Sequence, residues 1–427
     1  MAHAKHSGSI LIARTILLIS QTFPPDAAAV GQHFGDVARE FARRGYAVTV
    51  LASARGYDDP TVVYPRRERM ADGVEVRRMR LSSLGKQSIA RRLAASLAFM
   101  VQALIAALST RALAGVVVST SPPLVGVIGA IVGLVRRVPI TYWVMDLNPD
   151  QLIALGKLPP RSVVARALEM VNRAILRRST LIVALDEFMA MRLVRSGARP
   201  ERLRIIPPWS PSERLQPPQR TENAFRAAHG LGDELVVMYS GNHTPTNPLT
   251  TLLEAAVRLR DDTRVRFVFV GGGAGKAEVE RYRDQHALRN VLSLPYQPLS
   301  TLSDSLGAAD VHVVSLGDGM SGIVHPSKVY GAMAVGRPIL YLGPSPSHVS
   351  RLIETFKVGW RVSHGDIEGT VRTLRAIADT PAADRHAMGD RARAAIEHEF
   401  SPATLCARLC TAIEETLALS GAARIQA

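Results

Sequence analysis

The stretch Val311–Tyr341, VHVVSLGDGMSGIVHPSKVYGAMAVGRPILY, decides the fold. Val311–Val314 reads as a buried strand, and Pro326–Val335 as a helix with proline near its first position. Gly336 and Arg337 close that helix, and Pro338–Tyr341 re-enters the sheet. Upstream, strands Leu235–Ser240, Arg266–Val270 and Val291–Leu294 alternate with helices Leu249–Leu259, Gly275–Gln285 and Leu299–Leu306. Downstream, helices fill most of the chain to about Leu419. Continuous apolar strands alternating with helices mean a parallel sheet covered on both faces. Further back, Pro207, Pro208, Pro211, Pro217 and Pro218 crowd together; such a cluster cannot run through a strand or helix interior and reads as an interdomain linker. Before it the alternation runs a first time. Its strands are Thr15–Ser20, Ala47–Ala52, Gly115–Val118, Ile140–Val144, Leu181–Ala184 and Leu203–Ile206, with weaker ones at Thr61–Tyr64 and Val74–Met79. Its helices are Gly31–Arg44, a long one from about Lys86, Leu124–Val135 and Arg161–Leu176. The fold class is therefore α/β, two tandem Rossmann-like doubly wound domains facing a cleft. The domains span 1–208 and 209–395, and a C-terminal helix within 396–427 packs back toward the first.

The composition agrees and narrows the function. Of 427 residues, 47% are hydrophobic and 21% charged, which excludes a disordered chain. The two cysteines, Cys406 and Cys410, are too few for a disulfide framework or a four-ligand zinc site, and they point to a reducing compartment. The net charge of +15 attracts phosphates, whether on nucleic acid, anionic lipid or a diphosphate substrate. Composition does not choose among the three. At the N-terminus the apolar stretch Ile10–Ser20 could begin a signal peptide, but Arg14 interrupts it and Pro24-Pro25 follow; Thr15–Ser20 reads as the first buried strand.

In doubly wound sheets ligands bind outside the carboxyl ends of the strands, so the turns there carry the candidate residues. The first, FPPDAAAVGQH (Phe23–His33), leads into a helix whose N-terminus offers unpaired N–H groups; His33 is either a site residue or a capping histidine. The second, MDLNPD (Met145–Asp150), puts Asp146 after a strand, where a carboxylate can position a hydroxyl or stabilise positive charge, or simply cap a helix. In the second domain, SGNHTPTNP (Ser240–Pro248) and Gly271-Gly272-Gly273 let backbone approach a ligand closely. Neither is a GxGxxG fingerprint, and a glycine run alone is weak evidence. Lys328, beside Ser327 in the opening turn of a helix, is the sharpest signal. A lysine there opposes the helix dipole unless an anion sits at that end.

These motifs resemble those of the family-four-type glycosyltransferases of the GT-B fold, nearest the bacterial exopolysaccharide and O-antigen branch of colanic-acid and N-acetylfucosamine type. The likeness covers nearly the whole chain. It is carried by FPPDAAAVGQH, AREFARRGYAVTVLAS, VVVSTSPPLVG, VMDLNPDQLIALG, LRIIPPW, VVMYSGNHTPTNPLTTLLEAA, VFVGGG and, most specifically, HPSKVYGAMAVGRPIL. The resemblance implies transfer of a sugar from a nucleotide diphosphate, UDP in expectation, with retention of configuration and without metal or cofactor. It implies that Ser327 and Lys328, with Gly322 and His325 in the preceding loop, hold the diphosphate. Gly31, Gly241, Asn242, Gly271, Gly272 and Gly273 would complete the donor-binding set, with Tyr296 near the base. His33 and Asp146 would face the reacting sugar or the acceptor hydroxyl. The chain also departs from the family. Ile323 and Gly331 stand where two glutamates are usual, and Ala28 and Ala29 where paired glycines are. The arginine and lysine often found after the first strand of the second domain are replaced within GNHTPTNP, and Met145 replaces a histidine. A non-catalytic protein of this fold that binds a sugar nucleotide or a partner transferase, and a sugar-nucleotide epimerase, are the alternatives.

Between Arg66 and Arg92 lie nine basic residues against three acidic ones, and the apolar run Leu93–Leu108 follows with only Ser96 and Gln102 polar. At 16 residues the run is shorter than the ~20 that a span needs. Basic residues beside such a helix suit a protein lying on anionic lipid, with Arg91 and Arg92 as its membrane and acceptor contacts. The other reading is a solvated charge run beside a core helix. The first makes the acceptor a lipid-linked glycan and the protein cytoplasmic, peripheral on the inner face of the cell membrane. Nucleic acid is not expected as a partner, because aromatics are only 5% and no nucleic-acid module is present.

Overall fold

The computed structural model describes residues 14–425 apart from 27, 57, 58, 60, 83–88 and 211–214; the side chains of 89–93 and 423–425 also lie outside it. Lys86 and the side chains of Arg91 and Arg92 are thus outside the described residues.

The first domain is built on β1 (Thr15–Ile19), β2 (Ala47–Ser53), β3 (Arg67–Arg69), β4 (Glu75–Met79), β5 (Leu113–Val118), β6 (Ile140–Trp143), β7 (Leu181–Ala184) and β8 (Leu203–Ile205). They lie in the order β3-β4-β2-β1-β5-β6-β7-β8, all parallel except β3 against β4. Every residue of β1, TILLI, is buried, as a central strand covered on both faces requires. The helices are α1 (Ala29–Arg43), α2 (Ile89–Leu108), α3 (Gly126–Arg136), α4 (Asp150–Ala154), α5 (Val163–Arg178) and α6 (Glu187–Arg195). β1 leads leftward to β2 and β5 rightward to β6, so right-handed crossovers put α1 on one face and α2, α3 and α5 on the other.

The second domain carries β9 (Leu235–Ser240), β10 (Val265–Val270), β11 (Val291–Leu294), β12 (Val311–Ser315), β13 (Ile339–Leu342) and β14 (Gly359–Val362), all parallel in the order β11-β10-β9-β12-β13-β14. Its helices are α7 (Ala224–Ala228), α8 (Thr250–Arg258), α9 (Lys276–Gln285), α10 (Leu302–Gly307), α11 (Lys328–Ala334), α12 (His348–Phe356), α13 (Ile367–Asp379), α14 (Ala382–Glu399) and α15 (Pro402–Ile425).

Two expectations about strands fail. Thr61–Tyr64 is no strand: Val63 makes a single bridge to Arg55, and Val62 and Val63 are exposed. The edge is instead Arg67–Arg69, whose charge suits a sheet margin and hides it from a search for apolar runs. The sixth strand of the second sheet, β14, falls where only helices were expected. Its Gly359 is required, because a Cβ there would sit 1.9 Å from the Ile339 carbonyl oxygen.

The chain crosses between domains twice. It leaves the first through Ile206–Ser210 and returns after Phe400, where α15 packs on α1. Arg44 pairs there with Glu40 and Glu414, and donates to the Ala407 carbonyl at 3.0 Å. The crossings touch: the Ser210 N–H donates to the Phe400 carbonyl at 3.3 Å.

Candidate functional site

In each sheet the strand order reverses direction beside the first strand, between β1 and β5 and between β9 and β12. A crevice opens outside the carboxyl ends at such a point. In the second domain the crevice is walled by three loops. The loop after β9 is tied down by Asn247, which donates to the Ser315 carbonyl at 2.6 Å, and by Ser315, which donates to Pro248 at 2.6 Å. Gly241 adopts φ +132°, and a Cβ on it would lie 2.5 Å from Lys328 Cε. Gly271 adopts φ +131°, and its Cβ would lie 2.1 Å from the Gly241 carbonyl oxygen. Only glycine allows either approach. Asn242 borders Gly273, and the Tyr296 ring lies against Gly272. Beneath them His243 is buried, its backbone N–H on the Gly272 carbonyl at 2.7 Å. Burial pushes its pKa down to about 4 and keeps the ring neutral. Its Nε2 has no hydrogen-bond partner in the protein.

Lys328 opens α11 and reaches over the Tyr239 ring, its Nζ 5.4 Å from the ring centroid. Among the described residues no carboxylate lies within 4 Å of it, and burial pushes its pKa down to about 8. A half-buried ammonium without a counter-charge, set against the Gly241 backbone, has a charge that an anion would satisfy. Ser327 is exposed at the start of the helix and makes no capping bond.

On the first domain, His33 falls in the second turn of α1, one turn later than expected, its ring centroid 4.9 Å from that of Trp209, edge to face, and 6.3 Å from that of Trp143. Burial drives its pKa down to about 4; Asp36 opposes this and His325 adds to it. Its Nδ1, the Trp143 Nε1 and the hydroxyls of Ser20 and Thr22 are all buried without a protein partner. Buried polar atoms are almost always paired, so four unpaired ones near the carboxyl ends of β1 and β6 stand out. Asp146 follows β6. Its N–H donates to Thr120 Oγ1 at 3.2 Å, and its backbone bridges Val324 of the other domain. Burial raises its carboxyl to about 6, with His325 pulling the other way.

Two residues placed in the donor-binding set lie at the domain junction. Gly322 abuts the first domain, where a Cβ would lie 2.6 Å from the Phe188 carbonyl. His325 is buried with both ring nitrogens engaged. Asp186 can only accept, so His325 donates to it from Nδ1 at 2.7 Å; Nε2 meets the Tyr330 hydroxyl at 3.0 Å, and that hydroxyl meets His348 Nε2 at 2.9 Å. Burial acts to raise the Asp186 pKa, but the bond and charge of His325 outweigh it and hold the carboxyl below the usual range. Gly31 does not reach the glycine loops; it lets α1 pack on the Thr22–Phe23 backbone, 2.9 Å from where its Cβ would be. Arg78 is equally structural. It is buried and donates to Pro24 at 2.6 Å, to Ser53 at 3.3 Å and to Glu68 at 2.6 Å. The basic run is therefore not a single free face. Sequence reasoning passed over Asp186, although it follows β7 as Asp146 follows β6.

Residues 28–209 match the family described as glycosyl transferase 4-like domain, and residues 221–395 the family glycosyl transferases group 1. Together they take in more than four fifths of the chain. The chain belongs to the family-four-type glycosyltransferases of the GT-B fold. Among curated members, WcaI of Escherichia coli (strain K12), named for colanic acid biosynthesis, is 29% identical over 217 residues, 50% of this chain and 53% of that protein. WbjE of Pseudomonas aeruginosa, named as a glycosyltransferase, is 24% identical over 262 residues, 61% of this chain and 64% of that protein. The matches thus span between half and two thirds of these two relatives. Among solved structures, HepE of Anabaena in complex with UDP-glucose superposes with a TM-score of 0.67 at 16% identity, over 94% of this chain and 99% of that one. At that identity the likeness speaks for the fold.

Proposed function

We propose that the protein is a retaining, metal-independent glycosyltransferase that moves a sugar from a UDP-sugar to a lipid-linked or polysaccharide acceptor in cell-surface glycan biosynthesis, at the inner face of the cell membrane. The observation that carries this reading is Lys328. An uncompensated ammonium set against Gly241 and Tyr239 suits a diphosphate, whose negative charge grows as the sugar–phosphate bond breaks. The UDP-glucose bound by HepE supports the choice of nucleotide. Ser327 and the N–H groups of the glycine loops would take the remaining phosphate oxygens, and Tyr296 would flank the base. Asp146 stands at the seam between the domains, where its carboxylate would face the electron-poor sugar carbon. His33, held neutral, would accept a hydrogen bond from an acceptor hydroxyl.

Those two ionisations set a pH profile. Asp146 is charged above about pH 6 and Lys328 below about pH 8. The kcat/KM for donor should therefore be bell-shaped with limbs near these values, each falling about tenfold per pH unit outside them. UDP-sugar affinity alone, with no phosphate ionisation near pH 6, should weaken above pH 8 and stay level near pH 6. An Asp146→Asn protein that keeps the acid limb would remove Asp146 from its role.

The reading as a whole is tested by incubating the protein with UDP-, GDP- and dTDP-sugars and native membrane lipid extract while following release of nucleoside diphosphate. Lipid-dependent release with one donor is expected. Binding without release would favour a sugar-nucleotide-binding protein, a reading that gains weight from the buried Ile323 where the family carries a carboxylate. Interconversion of free nucleotide sugars would make it an epimerase.

A further inference from the structure

The helices on the face of the first sheet opposite α1 form a row, with α2 on α3 and α3 on α5. Each buries one side, α2 through Phe99, Ala103 and Ala107. The opposite sides are not polar, as a surface helix in water would be. Leu97, Val101 and Ile105, one helical turn apart on α2, are 63%, 51% and 65% exposed. Leu134 and Val135 on α3 and Met170 on α5 are 59%, 61% and 69% exposed. Apolar side chains grouped this way expose on the order of several hundred Å², which marks an interaction surface rather than scattered residues. Between α3 and α5 the face dips into a groove of about 270 Å³ floored by Gly133, Leu134, Val138 and Ile140, with Arg137 and Arg178 at its rim.

The charge on this face names its occupant. The three helices carry seven arginines, no lysine and one acidic residue, Glu169. Arg137, Arg166, Arg173, Arg177 and Arg178 are all exposed. A second copy of the chain, meeting this face through a two-fold axis, would set arginine against arginine. A bilayer containing anionic lipid offers phosphates to the guanidinium groups and an apolar layer to the leucines and isoleucine between them. Among the described residues no helix is long and apolar enough to cross a membrane, so the face would lie on the bilayer.

We infer that the α2–α3–α5 face is the docking surface of this protein for an anionic phospholipid bilayer. The inference deepens the membrane part of the proposed function and rests on it. In a parallel α/β sheet these helices start at the carboxyl edge of the strands, the edge on which the cleft opens. The docked face runs along the side of the first domain from that edge to the opposite one, where Leu134, Val135, Arg137, Arg177 and Arg178 lie at the C-terminal ends of α3 and α5. The surface keeps the Leu93–Leu108 helix that the sequence suggested and adds α3 and α5, while Arg78 of the basic run is spent inside the protein.

The test is co-sedimentation of the full chain with sucrose-loaded vesicles, either pure phosphatidylcholine or with about a third phosphatidylglycerol. Wild type should partition onto the anionic vesicles at least about tenfold better than onto the neutral ones, and less so as salt is raised. A Leu97→Glu/Ile105→Glu/Leu134→Glu protein should lose about tenfold or more of that partition, and Arg137→Gln/Arg178→Gln should show a measurably shallower salt dependence. Because all five positions are exposed, UDP binding by calorimetry should be unchanged in both variants. Wild type that stays in the supernatant, or a triple variant that binds vesicles as wild type does, overturns the docking face. So does a wild-type dimer that the triple variant converts to monomer, which would give the face to a second copy. Failure of wild type to bind UDP would strike the nucleotide-sugar reading and leave the vesicle result standing.

Discussion

A Lys328→Ala protein binds UDP about 100-fold more weakly than wild type, yet unfolds at the same temperature or slightly above it. Removing one member of a desolvated, charge-assisted pair costs about 3 kcal/mol when the partner is present, which is about 100-fold in Kd. Without nucleotide the same side chain is a half-buried charge with no carboxylate beside it, so the empty protein gains slightly by losing it. This opposition of signs separates a ligand contact from a structural one. Isothermal calorimetry and a melting curve on one sample read both. Lys328→Arg should not restore affinity, because Gly241 leaves the lysine stem no room for a planar guanidinium. A Kd within threefold of wild type in the alanine protein would dismiss Lys328 from the site.

The second large effect is on the union of the domains. Asp186 belongs to the first domain, where its Oδ1 accepts the Met189 N–H at 2.8 Å and caps α6. His325, Tyr330 and His348 belong to the second. Asp186→Ala strands the buried Nδ1–H of His325 and uncaps the helix, which together should cost about 3 kcal/mol or more. For a protein of this size that lowers the melting temperature by about 3 °C or more. Asp186→Asn keeps one carbonyl oxygen, enough to accept one of the two bonds while its NH2 faces the other, and should recover at most about half of the loss. Equal melting of Asp186→Ala and wild type would mean that the neighbouring Arg351–Glu187 pair and the Arg192 bond to Ser321 hold the domains unaided.

The fold was legible because nine strands are short apolar runs buried almost throughout, and such runs need no partner to be recognised. β3 escaped because an exposed, three-residue, arginine-bearing edge has no apolar signature. β14 escaped because GWRV is brief and lies among helices. Within the site, Lys328 could be read from one helix: a cation at the wrong pole is a local contradiction. The convergence of Gly241, Gly271–Gly273 and Tyr296 followed from the rule about carboxyl ends. Pairings across the domains had no such signal. Asp186 and His325 stand 139 residues apart, and nothing in HPSK shows whether the histidine turns toward a ligand or toward the other domain. The orphaned hydroxyls of Ser20 and Thr22 were invisible for a related reason, since only packing reveals which polar atoms lack company.

The two chain crossings bear on how the cleft could admit its substrates. Ser210 and Phe400 are joined by a hydrogen bond, and the Phe400 ring lies 5.3 Å from Tyr330, the middle member of the Asp186–His325–His348 chain. The latch is thus mounted beside the pivot. In a hinge rotation each atom moves in proportion to its moment arm, so the lips of the cleft can swing apart while the latch, on a short arm, hardly stretches. The molecule can then exchange nucleotide with its domains still fastened, and Asp186 substitutions should loosen the closed form more than they speed its opening.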